Sequence, residues 1–423
     1  MNHSRFLFFL YYYPPHLGTA PKRNHQISTE ISKHASFSRI YTSANEDDLP
    51  IETGDAEVIG VRAFDYRSIL RRRNKDGALS EEKKKNHIAQ FLIKLINTFP
   101  VNILLGEGGL FYFMSLVRKG QRSIRENKTT HIYSSYRPFA DHYAAYILKR
   151  RNPQIVWIAD FRDLIIDPHY RHILYQDSQN VFFKRIFKKA DALTTVSDGL
   201  AKHLKDYNSN VITLRNGIQK IPLEIEPIHC KYFKIAYTGS MFLDKRNAHP
   251  LFTAITELIQ QNVIDERDVK IIYAGKDGFY WSQIAKEYEL DSILTNKGIV
   301  SPEEASSIQK NACINVLLSV ASDLLQGVLT GKMIEYFEAG SPVLGIIVNK
   351  NDSELNQMLQ ELEIGQSYSD NDHDLAAIKE FIYTEYLEWK KTGMIRKPVN
   401  MVVLREKYAV EETMKPLYKF LSP

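Results

Sequence analysis

The sequence predicts an α/β protein of two domains, each an open parallel sheet with helices on both faces. Three observations carry this. The chain has 423 residues, too many for one ordinary hydrophobic core and enough for two of roughly 200 residues each. From Phe6 onward, short β-branched or aromatic runs alternate with stretches of helical period, the pattern of a parallel sheet covered on both sides. The alternation halts at residues 220–229, where Pro222 and Pro227 stand among charged residues as in a linker, and then begins again. Two Rossmann-like domains facing across a cleft are the expected result, at residues 1–222 and 228–400, because such folds bind ligands outside the carboxyl ends of their strands.

In the first domain the strand candidates are 6–12, 57–61, 101–105, 131–134, 155–159, 192–196 and 211–213. The apolar start, Phe6 to Tyr13, is too short for a membrane span and ends at Pro14 and Pro15 rather than at a small-residue cleavage site, so it reads as a buried strand. Helix candidates are 26–34, 80–97, 139–149 and 198–207. Apolar residues are dense from Ile88 to Val117, yet Lys94, Asn97, Pro100 and Glu107 interrupt them and leave no clean run of about 18. A spanning helix is not expected there, while shallow membrane contact stays open. In the second domain, strands at 233–238, 269–274, 314–318 and 343–347 are separated by helices at 248–261, 280–288, 303–311, 330–339 and 352–361. A last helical pattern, within 401–423, either packs back across the first domain or belongs to the second.

An apolar fraction of 44% and a charged fraction of 25% are ordinary for a globular chain and exclude a disordered or fibrous one. Two cysteines, Cys230 and Cys313, exclude a disulfide scaffold or a multi-cysteine zinc site and fit a reducing compartment; both read as core thiols. The net charge of +5 conceals an asymmetry. Residues 1–224 carry 34 basic against 22 acidic side chains, net +12, and the remainder 21 against 28, net −7. The basic clusters are Arg71 to Arg73 with Lys75, Lys83 to Lys85, Lys149 to Arg151, and Lys184 to Lys189. They are either ordinary solvated helix faces or a surface for an anionic partner such as lipid headgroups.

The most informative segment is 327–343, GVLTGKMIEYFEAGSPV. Thr330 caps a helix whose first turn holds Gly331 and Lys332, so that backbone N–H groups and an ammonium converge where a diphosphate would be neutralised. Glu335 follows one turn later, and an ionised Glu accepts hydrogen bonds from both hydroxyls of a ribose. The plain alternative is an amphipathic helix with a surface Lys–Glu pair. In the first domain, His142 follows Ser134 and Ser135, and Asp160, Arg162 and Asp163 follow the next strand, where they would meet an acceptor. An Arg between two Asp residues equally makes a buried salt-bridge network, and His142 equally is a helix-face residue. Asp370-Asn371-Asp372 is better explained as the cap of the next helix than as a metal-binding acid pair, Gly106 to Gly109 does not make a dinucleotide fingerprint, and no His/Cys spacing suggests zinc.

Segment 327–343 resembles the donor-binding motif of retaining glycosyltransferases of the two-Rossmann GT-B fold, in the large family numbered four, above all members with a Thr-Gly-Lys-x-x-Glu-Tyr pattern. The similarity recurs in order along the chain. YYYPPHLGTAPKR from Tyr11 resembles the family's first strand and glycine loop, IYSSYRPFADHYAAYILKRRN and IVWIADFRDLI its middle acceptor region, and ADALTTVSDGL with LRNGI the close of its first domain. YTGSMFLDKRN and IIYAGKD resemble the phosphate loop and the strand end beside the base. The resemblance implies that Gly239, followed by Ser240, lets the backbone approach the donor diphosphate and that Lys245 and Lys332 supply cations to it. It places Gly275 and Lys276 beside the base, Thr330 and Gly331 on the phosphates, Glu335 on the ribose, and Gly18 toward the transferred sugar. Two positions depart from the pattern: Gly327 stands where many members have a second Glu, and Ser240 where many have an Arg.

The implied activity is hexosyl transfer, with retention, from a UDP- or GDP-linked sugar to a glycan or lipid-linked acceptor in cell-surface polysaccharide synthesis. No metal or other cofactor and no nucleic acid are expected, and the expected location is cytoplasmic with peripheral contact at the inner face of a membrane. The alternatives are a catalytically weakened scaffold of the same fold and a nucleotide-sugar epimerase.

Overall fold

The computed structural model describes residues 3–16, 18–44, 56–63, 87–166, 173–241, 246–321 and 331–421. The chain forms two compact units, one of residues 1–196, 200–214 and 414–423, the other of residues 197–199 and 215–413.

The first unit is built on seven parallel strands: β1 (Arg5–Phe9), β2 (Phe37–Ala44), β3 (Glu57–Arg62), β4 (His131–Ser135), β5 (Val156–Phe161), β6 (Ala192–Thr195) and β7 (Val211–Thr213). Their order is β3-β2-β1-β4-β5-β6-β7, so the winding reverses between β1 and β4. Helices α1 (Thr19–Ser32), α2 (His87–Asn97), α3 (Val101–Leu104), α4 (Gly109–Glu126), α5 (Phe139–Arg151), α6 (Gln176–Phe187) and α7 (Asp198–Leu204) connect them. After Arg5 the central strand β1 is apolar throughout because both faces of the sheet are covered: Phe6, Leu7, Phe8 and Phe9 are all fully buried. The edge strands β3 and β7 are only partly buried and correspondingly mixed.

The structure corrects the sequence reading at residues 101–105. They form the short helix α3 rather than a strand, with Ile103 buried and Leu104 and Leu105 exposed. A run of four or five apolar residues carries no period that separates strand from helix, and here Pro100 and Gly106 bracket one turn. Three elements of this unit lie outside that reading altogether, α6 among them. Strand β2, FSRIYTSA, is half polar, with Arg39 paired to Glu57 of β3 at 2.7 Å. Helix α4 mixes exposed apolar residues with a basic second half, which blurs its amphipathic face. Of the expected helix 80–97, residues 87–97 are helical and 80–86 lie outside the described residues.

The second unit has a two-stranded antiparallel ribbon, β8 (Ile228–His229) with β15 (Met394–Ile395), and a parallel sheet. The sheet comprises β9 (Phe233–Thr238), β10 (Val269–Ala274), β11 (Leu294–Asn296), β12 (Ile314–Val320), β13 (Val343–Val348) and β14 (Gly365–Ser369), ordered β11-β10-β9-β12-β13-β14. Its winding reverses between β9 and β12. Helices α8 (His249–Gln260), α9 (Gly278–Glu287), α10 (Pro302–Lys310), α11 (Gly331–Ala339) and α12 (Ser353–Glu361) lie within a residue or two of their expected bounds. They are followed by α13 (Asp372–Thr392), α14 (Met401–Tyr408) and α15 (Val410–Leu421). Asn371 caps α13 by accepting from the Asp374 amide at 3.1 Å, which is the capping role read from the sequence. Cys230 and Cys313 are both buried and reduced.

The second unit begins at Arg215, ahead of the proline-bearing stretch, because Ile218 is already held by it: the Ile218 amide donates to the Tyr408 carbonyl at 2.7 Å and the Val410 amide to the Ile218 carbonyl at 3.1 Å. Residues 414–421 belong to the first unit, where Met414 and Leu417 are buried and the Tyr418 hydroxyl donates to the Glu30 carbonyl at 3.1 Å.

Candidate functional site

In an open parallel sheet the crevice for ligands forms where the winding reverses, at the carboxyl ends of the two strands involved. In the second unit those strands are β9 and β12. The chain leaves β9 at Thr238 and turns at Gly239, whose φ of 121° favours glycine. A second reason for glycine is contact. A Cβ at position 239 would stand 2.3 Å from Cε and 2.4 Å from Nζ of Lys332, so only a residue without a side chain lets the lysine lie across the loop.

Lys332 comes from the first turn of α11. Its Nζ donates to the Tyr237 hydroxyl at 3.0 Å and sits 4.1 Å from the centroid of that ring, a cation–π distance. The same hydroxyl accepts from Arg246 Nη1 at 3.1 Å and donates to the Ser240 carbonyl at 2.8 Å, and Arg246 Nη1 also donates to that carbonyl at 2.6 Å. Tyr237 thus gathers two cations beside the Gly239–Ser240 turn. Burial, and then the charge of Arg246, push the Lys332 ammonium down to about 7, although Glu335 and Asp277 pull the other way.

The end of β10 locks onto this turn. A Cβ at Gly275 would stand 2.2 Å from the Gly239 carbonyl oxygen. The Tyr273 hydroxyl donates to that same oxygen at 3.0 Å and accepts from the Asp277 amide at 2.9 Å, while Asp277 Oδ2 accepts from the Met241 amide at 2.7 Å. Lys276, next to Gly275, is exposed. One turn along α11 from Lys332, the half-buried Glu335 accepts at Oε2 from Gln309 Nε2 at 3.1 Å. Gln309, buried on α10, donates its other N–H to Thr238 Oγ1 at 2.8 Å. Glu335 is therefore held by a side chain that is itself tied to the last residue of β9.

The structure brings together Gly239, Ser240, Gly275, Lys332 and Glu335 of the residues expected from sequence, with Gly331 opening α11. Lys245 and Thr330 lie outside the described residues. Arg246 and Gln309 were missed. The only sequence signal for Arg246 is its adjacency to Lys245, and Gln309 reads as an ordinary polar residue of an amphipathic helix.

On the first unit, Gly18 is exposed at the start of α1 with φ 126°. His142 is fully buried. Its Nδ1 shares a 2.7 Å hydrogen bond with Ser134 Oγ, which also accepts from Trp157 Nε1 at 2.9 Å, and the ring packs against Tyr136, Phe161 and Phe187. Burial pushes the imidazole down to about 3, so it is neutral. Asp160 is fully buried too, paired to Arg23 at 2.7 Å and accepting from Thr194 Oγ1 at 2.7 Å. Burial alone would raise that carboxyl, but Arg23 and the hydrogen bonds hold it below its ordinary value. Asp160 is thus paired with Arg23 rather than with Arg162, and His142 lies in the core rather than on an open helix face. Arg162 donates twice to the Tyr136 carbonyl, at 3.1 and 2.7 Å, and Asp163 is exposed. Among the described residues, no group of three His, Cys, Asp or Glu side chains is placed to hold a metal ion.

No family model and no curated protein matches the sequence. Solved structures do match in fold. The chain is similar to a sucrose-phosphate synthase from Thermosynechococcus elongatus, at 12% identity and a TM-score of 0.60, covering 99% of each chain. It is similar to the lipopolysaccharide outer core galactosyltransferase WaaB in its apo form, at 10% identity and a TM-score of 0.59, covering 98% of this chain and 99% of that one. A TarM variant from S. aureus in complex with fondaparinux, alpha-GlcNAc-glycerol and UDP matches at 10% identity and a TM-score of 0.58, covering 99% and 100%. At these identities the likeness shows the fold, which is the two-domain GT-B type.

Proposed function

We propose that this chain is a glycosyltransferase that moves a hexosyl group from a UDP- or GDP-linked donor to a hydroxyl of a glycan or lipid-linked acceptor. The observation that carries the reading is the cluster at the β9/β12 reversal: Lys332 and Arg246 gathered on Tyr237 beside a glycine turn, with Glu335 one helical turn away. The first-turn amides of a helix lack intrahelical partners and favour an anion. A diphosphate placed at the start of α11 would meet those amides and both cations, and Glu335 would take the ribose hydroxyls. Support also comes from the GT-B fold and from a structural neighbour that carries UDP. From the motif resemblance, Lys245, Thr330, Lys276 and Gly18 join the donor side, while Arg162 and Asp163, from their place after β5, are candidates for the acceptor side.

In the reaction, the bond from the sugar C1 to the β-phosphate oxygen breaks as C1 gains oxocarbenium character, and the acceptor oxygen forms the new bond. The acceptor proton passes to the leaving phosphate. Lys332, Arg246 and the end of α11 stabilise the charge that develops on the diphosphate. Retention of configuration, a role in cell-surface polysaccharide synthesis and a peripheral place at the inner face of a membrane extend the same reading.

A thermal-shift screen with UDP, GDP, ADP and their common sugars tests it, because a ligand bound only by the folded state raises the melting temperature. A rise with one nucleotide family is expected; no rise with any overturns the reading. Gly327 and Ser240, which replace a Glu and an Arg of the resembled motif, favour a second reading, a catalytically weakened scaffold of the same fold acting as a binding partner. Sugar release or transfer by the purified chain would dismiss that reading, and product analysis without acceptor would reveal an epimerase.

A further inference from the structure

Helices α2, α3 and α4 of the first unit pack against one another in sequence, and their outer side is unusually apolar. Among the described residues, eight of the fifteen exposed large hydrophobic side chains fall between residues 91 and 114. Phe111 is 80% exposed, Met114 57%, Leu105 54%, Phe91 53% and Ile93 50%. Single exposed apolar residues need no explanation, but a cluster on three adjoining helices marks an interaction surface.

The same surface is cationic. On α4, Phe111, Met114, Arg118 and Arg125 follow spacings of three, four and seven and so share one face, apolar in its first half and basic in its second. Lys119 and Arg122 are exposed beside it, and Lys94 lies on α2. Of the acidic residues between 91 and 126, Glu107 is buried and Glu126 is paired with Arg122 at 2.8 Å. Apolar side chains flanked by arginine and lysine, with almost no free negative charge, fit the boundary between acyl chains and anionic headgroups. Among the described residues no helix is long and apolar enough to cross a membrane, so the fit is to a surface.

A small cavity of about 50 Å³ borders this face. Asn97 at the end of α2, Asn102 of α3 and then Gly106 and Glu107 line it together with Tyr136 and Arg137. Arg137 stands just beyond the carboxyl end of β4, at the winding reversal of this sheet, and its buried Nε makes no hydrogen bond to the described residues. Within a few residues of chain, 102 to 107, the surface passes from exposed Leu104 and Leu105 to the cavity wall. We propose that the α2–α4 face docks on an anionic lipid surface. The docking does not rest on the glycosyltransferase reading.

Flotation of the full chain with vesicles of equal parts phosphatidylcholine and phosphatidylglycerol, against phosphatidylcholine alone, tests it without any donor. The wild type floats with the anionic vesicles only. Phe111→Ser with Met114→Ser, and separately Arg118→Glu with Arg125→Glu, each lower that binding by roughly tenfold or more, while melting temperature and UDP-glucose or GDP-mannose affinity stay at wild-type values. Wild-type protein that does not float, or variants that float equally well, overturn the docking. So does a wild-type dimer in sedimentation that the Phe111→Ser, Met114→Ser variant converts to monomer, because the face then meets a second copy. Vesicle binding that persists in a chain with no nucleotide affinity keeps the docking and removes the glycosyltransferase reading.

Discussion

The Lys332 ammonium is depressed to about 7 by burial and by Arg246, so in the free protein it is mostly neutral at pH 8. A bound diphosphate adds negative charge beside it and raises it again. Nucleotide binding at pH 8 therefore takes up about one proton, and binding at pH 6, where the amine is already charged, takes up almost none. Calorimetry in buffers of different ionisation enthalpy reads this directly; equal proton uptake at both pH values would dismiss the linkage. Lys332→Ala should lower turnover by about two orders of magnitude or more with the fold intact. Gln309→Ala should weaken donor binding by roughly tenfold, through Glu335 released from its hydrogen bond to Gln309, and should leave the rate at saturating donor nearly unchanged. A Gln309→Glu variant, which sets a carboxylate against Glu335, should be worse than alanine in a steady-state assay. Lys332, Glu335 and Gly239 were legible in the sequence because a short motif carries them. Arg246 and Gln309 were not, since their roles come from tertiary contacts with Tyr237 and Thr238 that no local pattern encodes.

Among the elements, α5 shows how a buried carboxyl can fix a strand end. Asp141, in its first turn, accepts from the Tyr11 amide just after β1 and from the Tyr112 hydroxyl of α4, both at 2.8 Å. Burial raises its carboxyl to about 8. Its folded value lies above the unfolded one, so the folded chain holds the extra proton from about pH 4 to 8. The stability this contributes is complete below the unfolded value and is lost as pH rises through 8, with a slope of up to about 1.4 kcal/mol per pH unit. Asp141→Asn should flatten that slope: between pH 5 and pH 8 the wild type should lose melting temperature relative to the variant. A constant difference in thermal unfolding across that range would contradict it. Elements with strong period or full burial, such as β9, β12, α8 and α11, were readable to within a residue or two. The short α3, the half-polar β2 and the basic half of α4 were not, because each draws its identity from what it packs against.

For the whole molecule, the restart of alternation after residue 229 anticipated two sheets, and both sheets show the reversed order that creates a ligand crevice. The basic charge of the first half and the dense apolar residues of 88–117 were legible in the sequence, but not which of them are exposed on one face. The central claim is that the β9/β12 reversal of the second unit binds a nucleotide diphosphate. Isothermal titration of UDP-glucose and GDP-mannose into the wild type and into Lys332→Ala tests it most directly. The account predicts saturable binding of one donor by the wild type and at least roughly tenfold weaker binding by the variant. Equal affinity in the two proteins, or no binding of either donor by the wild type, would contradict it.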